Sequence, residues 1–301
     1  MTRASDEPSR SAVVAAAAPL WASAEDAEEL GAFRGSSYAA YREWVRRQLP
    51  SQAPLTGRLH TVALSGEPVH VRAMAGASFV EVELLAQPNG ASGYVGIMSA
   101  SHVGTDARQR PSHVVAIGGA AATTAERDAA PLELAAGTTV ELLGGRDDHD
   151  AVEVLLASGA TVRCPRAALR PVDSAVRAVE LLDVAASFVG APYLWGGTEA
   201  AGIDCSGLVH LAARIGGHVV PRDAHHQWAT TRLDAGWEDL EAGDLLFFGT
   251  SASLQGIDHV GIYAGGGRML HAPEAARPVV VEPISERARE RSVGFGRPAF
   301  A

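Results

Sequence analysis

The sequence predicts an α+β domain at its C-terminal end, preceded by two small all-β domains. Short β-like runs broken by glycine turns occupy residues 11–105 and again residues 110–172. A helical period of apolar residues begins near residue 175, and strand-like runs follow it to the end of the chain. Helices followed by antiparallel strands are typical of an α+β domain, here placed at residues 175–301.

The first all-β domain, residues 11–105, contains a helical insertion. Tyr41, Trp44, Val45 and Leu49 recur at helical spacing and predict a helix over 38–49. The predicted strands around it are 11–17, 61–63, 68–73, 79–86 and 94–99.

The second all-β domain, residues 110–172, repeats this plan without an insertion. Gly144-Gly145 followed by Asp147-Asp148 predicts a hairpin turn between alternating runs. The predicted strands are 113–117, 120–124, 138–143, 151–155 and 161–165. The repeated plan predicts two small β barrels in tandem.

In the third domain the apolar spacing predicts a helix over 176–189, stopped before Pro192. A second helix is predicted to begin at Cys205 and to end at Gly216. The predicted strands that follow are 245–248, 260–263, 269–271 and 279–282.

Composition excludes several classes of protein. The formal net charge of −10, with no basic cluster, disfavours nucleic acid and anionic membranes as partners. No apolar stretch is long enough for a membrane helix, and the alanine-rich start lacks the features of a signal peptide. We therefore expect a cytoplasmic protein, with secretion as the alternative.

The side chains that carry chemistry are Cys205, His259 and His271. A thiol at a helix start meets unsatisfied N–H groups, which favour thiolate and can receive an oxyanion. His259 and His271 lie twelve residues apart, about one hairpin, so His259 can act as base and His271 as its orienter. The other cysteine, Cys164, is expected to be free like Cys205, and no sequence motif indicates a metal or a cofactor.

Each of these residues also has a plainer interpretation. A single cysteine at a helix start is more often a buried apolar residue, and single histidines are more often surface or core residues. Their order and their flanking glycines favour catalysis.

The third domain resembles the NlpC family, papain-like cysteine peptidases of bacterial cell-wall peptides with a Cys-His-His triad. The resemblance covers about residues 176–301. It rests on six motifs in order: Tyr193-Leu194-Trp195-Gly196-Gly197, Asp204-Cys205-Ser206-Gly207-Leu208, Pro221-Arg222-Asp223, Gly243-Asp244-Leu245-Leu246-Phe247-Phe248, Asp258-His259-Val260-Gly261-Ile262-Tyr263 and Leu270-His271-Ala272.

The resemblance implies that Cys205 is the nucleophile, His259 the base and His271 the third member of the triad. It also implies that four further residues line the substrate cleft: Tyr193, Asp204, Ser206 and Arg222. Asp204 is expected to meet the free amine of a short peptide. Trp195 is expected to pack in the core.

The upstream part resembles the two bacterial SH3-like domains of γ-D-glutamyl-L-diamino acid endopeptidases. The most similar pieces are Leu64-Ser65-Gly66-Glu67-Pro68-Val69 and Gly93-Tyr94-Val95-Gly96, although Ile97 stands where an aromatic residue is common. In that subgroup the first barrel caps the cleft, and an acid and a tyrosine bind the amine of L-Ala. Glu67 and Tyr94 are the candidates here.

The resemblance therefore implies hydrolysis of the bond between γ-D-Glu and the diamino acid in short murein peptides with a free N-terminal L-Ala, during recycling of wall peptides. Diaminopimelate and lysine remain open as the diamino acid, and so does the oligomeric state. The alternatives are a secreted hydrolase of intact peptidoglycan, a papain-like amidase or acyltransferase, and an inactive binding protein. The last is disfavoured because all three triad positions are filled.

Overall fold

The computed structural model describes residues 10–116, 120–124, 131–143, 150–173 and 178–298. Residues 11–105 form a seven-stranded antiparallel sheet with a helical segment inserted after its second strand. Its strands are β1 (Ser11–Val13), β2 (Ala17–Trp21), β3 (Leu59–Leu64), β4 (Pro68–Met74), β5 (Phe79–Asn89), β6 (Ser92–Ser99) and β7 (Val103–Thr105). The insertion holds α1 (Ala24–Glu29), α2 (Tyr38–Gln48) and a 3₁₀ turn at Ala53–Leu55.

The helix predicted over 38–49 is α2, which begins after the N-cap Ser37 and buries Tyr41, Trp44 and Val45. The run predicted as one strand over 11–17 is two strands instead. β1 pairs with β4 and β7, whereas β2 pairs with β3 and β6. The chain therefore breaks between them to pass from one part of the sheet to another.

A second seven-stranded sheet follows, with the same strand order as the first. In both sheets the order is third, second, sixth, fifth, fourth, first and seventh strand. Its strands are β8 (His113–Val115), β9 (Ala120–Thr124), β10 (Leu132–Leu134), β11 (Thr139–Leu142), β12 (Ala151–Leu155), β13 (Thr161–Pro165) and β14 (Leu169–Pro171). The predicted turn at residues 144–148 lies outside the described residues.

Each sheet curls around an apolar core of its own. In the first sheet, residues from β1 to β6 meet in one cluster, which a flat sheet of this width could not bring together. A matching cluster lies inside the second sheet. Among the described strands, however, no ladder joins the two end strands of either sheet, so a closed SH3-like barrel remains a prediction.

The third part of the chain packs helices against a six-stranded antiparallel sheet of order β17-β22-β18-β19-β20-β21, with a separate two-stranded ladder, β15-β16. Its helices are α3 (Ala178–Ala186), α4 (Cys205–Ile215), α5 (Ala224–Thr231) and α6 (Glu286–Glu290). Its strands are β15 (Thr198–Glu199), β16 (Gly202–Ile203), β17 (Arg232–Leu233), β18 (Leu245–Gly249), β19 (Ile257–Gly265), β20 (Arg268–His271), β21 (Val280–Pro283) and β22 (Ser292–Gly296). The sequence did not predict α5, α6, β15, β16, β17 or β22, and the predicted start of the helix over 176–189 falls partly outside the described residues.

One apolar core joins the first and third parts of the chain. Tyr41 and Leu59 of the first part belong to the same buried cluster as Leu208 and Val260 of the third. Thr198 donates a hydrogen bond of 2.6 Å from its hydroxyl to the carbonyl of Val62 across the same boundary. The first sheet is therefore packed against the α4 region. No helix in the described ranges is long and apolar enough to cross a membrane.

Candidate active site

Cys205 is the first residue of α4 and lies where two cavities meet. Asp204 caps the helix, accepting a hydrogen bond of 2.6 Å from the backbone N–H of Gly207. The larger cavity, of about 620 Å³, reaches from Cys205 past His259 and His271 to α6. The smaller cavity, of about 390 Å³, reaches from Cys205 to Tyr94 and Asp223. The thiol is therefore open to groups on both sides.

Gly207 lets α4 begin at this point. A Cβ atom at position 207 would lie 2.1 Å from the carbonyl oxygen of Gly197. The Gly196-Gly197 segment thus packs directly on the first turn of α4. As the first residue of the helix, Cys205 has a backbone N–H without a partner inside the helix, so this group can donate to an oxyanion formed next to the thiol.

His259 and His271 come from adjacent strands, β19 and β20, and form a chain of hydrogen bonds with Glu282 of β21. Nε2 of His259 lies 2.9 Å from Nδ1 of His271, and Nε2 of His271 lies 3.0 Å from Oε1 of Glu282. Arg277 binds the other oxygen of Glu282 at 2.7 Å. The two strands bring together histidines twelve residues apart, as the sequence predicts.

The acceptor at the end of this chain determines where its protons lie. A carboxylate can only accept, so Nε2 of a neutral His271 carries the proton and its Nδ1 is bare. His259 must then donate from Nε2, which leaves its Nδ1 without a proton. Because Cys205 and His259 line the same cavity, this nitrogen is the His259 atom that can accept a proton from the thiol.

Burial keeps both histidines uncharged. It lowers the pKa of His259 to about 3, with help from the neighbouring His271 and Arg291. Burial also lowers the pKa of His271, while the hydrogen bond to Glu282 acts in the opposite direction. At neutral pH each ring is therefore neutral and has one nitrogen without a proton.

The thiol differs from the expectation that a helix start favours thiolate. Burial and the charge of Asp204 raise the pKa of Cys205 to about 12, outweighing hydrogen bonds from the backbone of Val260 and Ser206 and the charge of Arg222. The resting thiol consequently keeps its proton until a base removes it. This makes the bare Nδ1 of His259 a requirement for reactivity.

Arg222 and Asp204 form a buried ion pair behind the thiol. Asp204 and Ser206 line the smaller cavity as predicted, whereas Arg222 lines neither cavity. The guanidinium of Arg222 spans both oxygens of Asp204, at 3.0 and 2.7 Å, and also donates to Ser206 at 2.9 Å. Its Nε donates to Thr61 of the first sheet at 2.8 Å. Asp204 also accepts from Gly196 and Gly207, so its oxygens are fully engaged and cannot meet a substrate amine.

Tyr94 and Tyr193 line the cavities as predicted. Tyr193 borders both, whereas Tyr94 borders only the smaller one, where its hydroxyl donates to Oδ2 of Asp223 at 2.9 Å. Burial and the charge of Asp223 raise the pKa of Tyr94, so its hydroxyl stays protonated. Trp195, expected in the core, is instead 37% exposed and lines both cavities.

Glu67 does not join the site, which corrects the prediction that it binds an amine. It is 1% exposed and forms an ion pair of 2.7 Å with Arg214 of α4. Its oxygens also accept from the backbone of Leu64 and from Gln87, both at 2.9 Å. Glu67 therefore fastens the first sheet to α4 and lines neither cavity.

Sequence reasoning missed Glu282, Asp223 and His60. Glu282 ends the histidine chain, but no local pattern marks a lone acid on a strand. Asp223 stands in the Pro221-Arg222-Asp223 motif beside a residue that was singled out, so the sequence did carry a signal for it. His60 lies at the wall of the smaller cavity with its ring 5.4 Å from that of Tyr94.

Within the described residues, Asp223, His225 and His226 are also close enough to share a metal ion.

Residues 190–295 match the family model described as the NlpC/P60 family. This part of the chain is an NlpC/P60 domain. It is 29% identical over 299 residues to the γ-D-glutamyl-L-lysine dipeptidyl-peptidase of Bacillus subtilis strain 168, covering 96% of this chain and 98% of that protein. A crystal structure of an NlpC/P60 family protein from Bacillus cereus ATCC 10987 is 26% identical and superposes with a TM-score of 0.85, covering 97% of this chain and 100% of that one.

A third relative matches only in part. The bifunctional muramidase/DL-endopeptidase CwlT of Bacillus subtilis strain 168 is 37% identical over 131 residues, which is 43% of this chain and 39% of that protein. The chain is thus an NlpC/P60 cysteine peptidase with the papain-like fold. Two of the three similarities extend over its upstream sheets as well.

Proposed function

We propose that this NlpC/P60 peptidase hydrolyses the bond between γ-D-Glu and the diamino acid in short murein peptides that carry a free N-terminal L-Ala. The observation that carries the proposal is that the first sheet forms one wall of the smaller cavity. Leu59, His60 and Tyr94 of that sheet face Asp204, Cys205 and Asp223 of the peptidase part. A glycan-linked stem would have to continue through this wall.

The end of the smaller cavity fits an ammonium group. Asp223 provides a carboxylate there, and no cation among the described residues pairs with it. Because the proton of Tyr94 is directed at Asp223, the lone pairs of the Tyr94 oxygen remain able to accept from a substrate amine. We assign the amine contact to Asp223 and Tyr94, with Asp223 in the role first expected of Glu67.

The proposed chemistry uses Cys205 as nucleophile and His259 as base. Nδ1 of His259 takes the thiol proton as sulfur attacks the γ-carbonyl of D-Glu, and the backbone N–H of Cys205 donates to the oxyanion. Collapse of this intermediate breaks the C–N bond, and His259 returns the proton to the amine of the departing diamino acid. Water then attacks the thioester with the same base, releasing L-Ala-γ-D-Glu and the free thiol.

The larger cavity would receive the diamino acid. It contains two charged side chains without an ion pair among the described residues, Glu274 and Arg287. Its other charged groups are already paired, Asp258 with Arg291 and Glu282 with Arg277. Glu274 suits the side-chain ammonium that both lysine and diaminopimelate carry. A substrate confined to free peptides suits recycling of wall fragments in the cytoplasm, and we propose this as the enzyme's role.

The test is mass spectrometry of the products from a matched pair of tripeptides, one with a free and one with an acetylated N-terminus. We expect L-Ala-γ-D-Glu from the free tripeptide and none of it with Cys205→Ala. Losing a charged hydrogen bond should lower kcat/KM for the acetylated peptide, or for Asp223→Asn with the free peptide, by about 10- to 100-fold. Equal turnover of the two peptides, or efficient release from insoluble peptidoglycan, would contradict the proposal.

A further inference from the structure

Three potential metal ligands lie together at the start of α5. One ligand atom each from Asp223, His225 and His226 lies within 4.8 Å of the other two. The rings of His225 and His226 are 4.2 Å apart, centre to centre. The three residues span only four positions, with Asp223 as the N-cap of the helix. The backbone of one helical turn therefore holds all three.

Two of these side chains have ligand atoms that the protein leaves unused. Oδ2 of Asp223 accepts from Tyr94, and no described residue donates to its Oδ1. Nδ1 of His226 is buried and has no hydrogen-bond partner among the described residues. A buried ring nitrogen without a partner is uncommon, because its desolvation is not repaid. Its position beside a second imidazole and a carboxylate points to a ligand.

The chemistry of the donors identifies the kind of ligand. Two imidazoles and one carboxylate suit Zn²⁺ and similar divalent transition metals, with bonds of about 2.0–2.2 Å. Tetrahedral geometry at those bond lengths needs donor atoms about 3.3 Å apart. Because the three atoms lie within 4.8 Å of one another, side-chain rotations that shorten these separations by about 1.5 Å or less complete the site. We propose that Asp223, His225 and His226 bind a divalent transition metal, with water in the fourth position.

The local charge permits a cation here. The guanidinium of Arg222, next to Asp223 in the chain, is neutralised by its ion pair of 2.7 Å with Asp204. The carboxylate of Asp223 thus remains the nearest uncompensated charge.

Metal binding at this place would block the peptidase. This consequence rests on the proposed function, in which Asp223 meets the substrate ammonium at the end of the smaller cavity. A metal on Asp223 repels the ammonium and occupies its acceptor. Zn²⁺ should therefore raise KM for peptides with a free N-terminus and leave kcat unchanged, unlike a metal bound to the thiol.

Direct binding is measured first, by calorimetric titration of Zn²⁺ into the full chain carrying Cys205→Ala, which removes the catalytic thiol as a competing ligand. We expect one bound Zn²⁺ and a Zn²⁺-dependent rise in Tm. Adding His226→Ala, or His225→Gln as a second variant, should weaken Zn²⁺ binding about 10- to 100-fold or more. Loss of a group that only hydrogen-bonds to a metal ligand already weakens binding by about this factor, and loss of a ligand itself should cost at least as much. The matched control is His70→Ala, which removes an imidazole that is 66% exposed on β4.

Absence of Zn²⁺ binding to the Cys205→Ala protein would overturn the proposal, and so would binding that His226→Ala and His225→Gln leave unchanged. Circular dichroism confirms that each variant is folded. Kinetics in the presence of Zn²⁺ test the inhibition separately, with His226→Ala expected to relieve the rise in KM. Failure of the tripeptide assay would remove the proposed function and leave the binding result intact.

Discussion

Replacing Glu282 with Ala should slow the peptidase although Glu282 makes no contact with Cys205. The carboxylate accepts the Nε2 proton of His271 at 3.0 Å and thereby leaves Nδ1 of that ring bare for His259. Without it, His271 can take the other tautomer, in which Nδ1 carries a proton. His259 then has no acceptor for its Nε2 proton, and its ring loses the hydrogen bond that fixes its orientation and tautomer.

The size of the effect follows from one charged hydrogen bond. Such a bond contributes about 1.5–3 kcal/mol, which corresponds to about a 10- to 100-fold loss of kcat/KM. Glu282→Gln keeps an oxygen that can accept from His271, so its loss should stay under about 10-fold. The ion pair of Glu282 with Arg277 is partly exposed and contributes at most about 1 kcal/mol to stability. A fall in activity should therefore come without a large fall in Tm.

The pH profile separates this role from a structural one. Burial raises the pKa of Glu282, but hydrogen bonds from Arg277 and His271 outweigh it, so the pKa is lowered overall. A group with a lowered pKa exerts its effect above that pKa and loses it as the pH falls through it. Arg277→Ala should therefore raise the pKa of Glu282 and move the acid limb of kcat/KM to higher pH. Glu282→Gln has no group that titrates at position 282, so the part of the acid limb that Glu282 causes should disappear.

The assay is kcat/KM for the free tripeptide between pH 4 and pH 9, with Tm recorded for every variant. The control is Glu286→Gln, which removes the same charge from the first turn of α6 without contact to the histidines. If Glu282→Ala matched the wild-type enzyme, or if Glu282→Gln lost as much activity as Glu282→Ala, the tautomer argument would be refuted.

Three further predictions concern buried acids and the pair behind the thiol. Glu67→Gln should lower the unfolding free energy by about 3 kcal/mol by leaving Arg214 unpaired, with KM unchanged. A raised KM in the tripeptide assay would show instead that Glu67 takes part in substrate binding. Glu199 has a pKa raised from 4.5 to about 7 by burial, so the wild-type protein should lose up to about 3 kcal/mol as pH rises through that interval. Urea titrations should show that Glu199→Gln removes this dependence. Arg222→Met should cost about 3–5 kcal/mol in the same titrations by leaving Asp204 buried and unpaired; a loss below 1 kcal/mol would contradict the buried-pair argument.

The residues that carry local chemistry were predictable from the chain itself. The sequence predicted a helix start at Cys205, and the structure begins α4 there, with Asp204 as its cap instead of the predicted contact with an amine. The twelve-residue spacing of His259 and His271 is likewise a property of one hairpin. The identical strand order of the two upstream sheets follows the repeated pattern of short runs, although the sequence did not predict β7, β10 or β14.

What each polar side chain does was decided only by tertiary structure. Glu67 and Asp223 are both acids near turns, and their neighbours in sequence do not distinguish them. Arg214 neutralises Glu67, whereas Asp223 lines a cavity and forms no ion pair with any residue that the structure describes. Glu282 reaches His271 only through the pairing of β20 with β21. Burial, rather than the helix terminus, sets the protonation of Cys205. Charge compensation and desolvation depend on distant segments meeting, which local sequence does not encode.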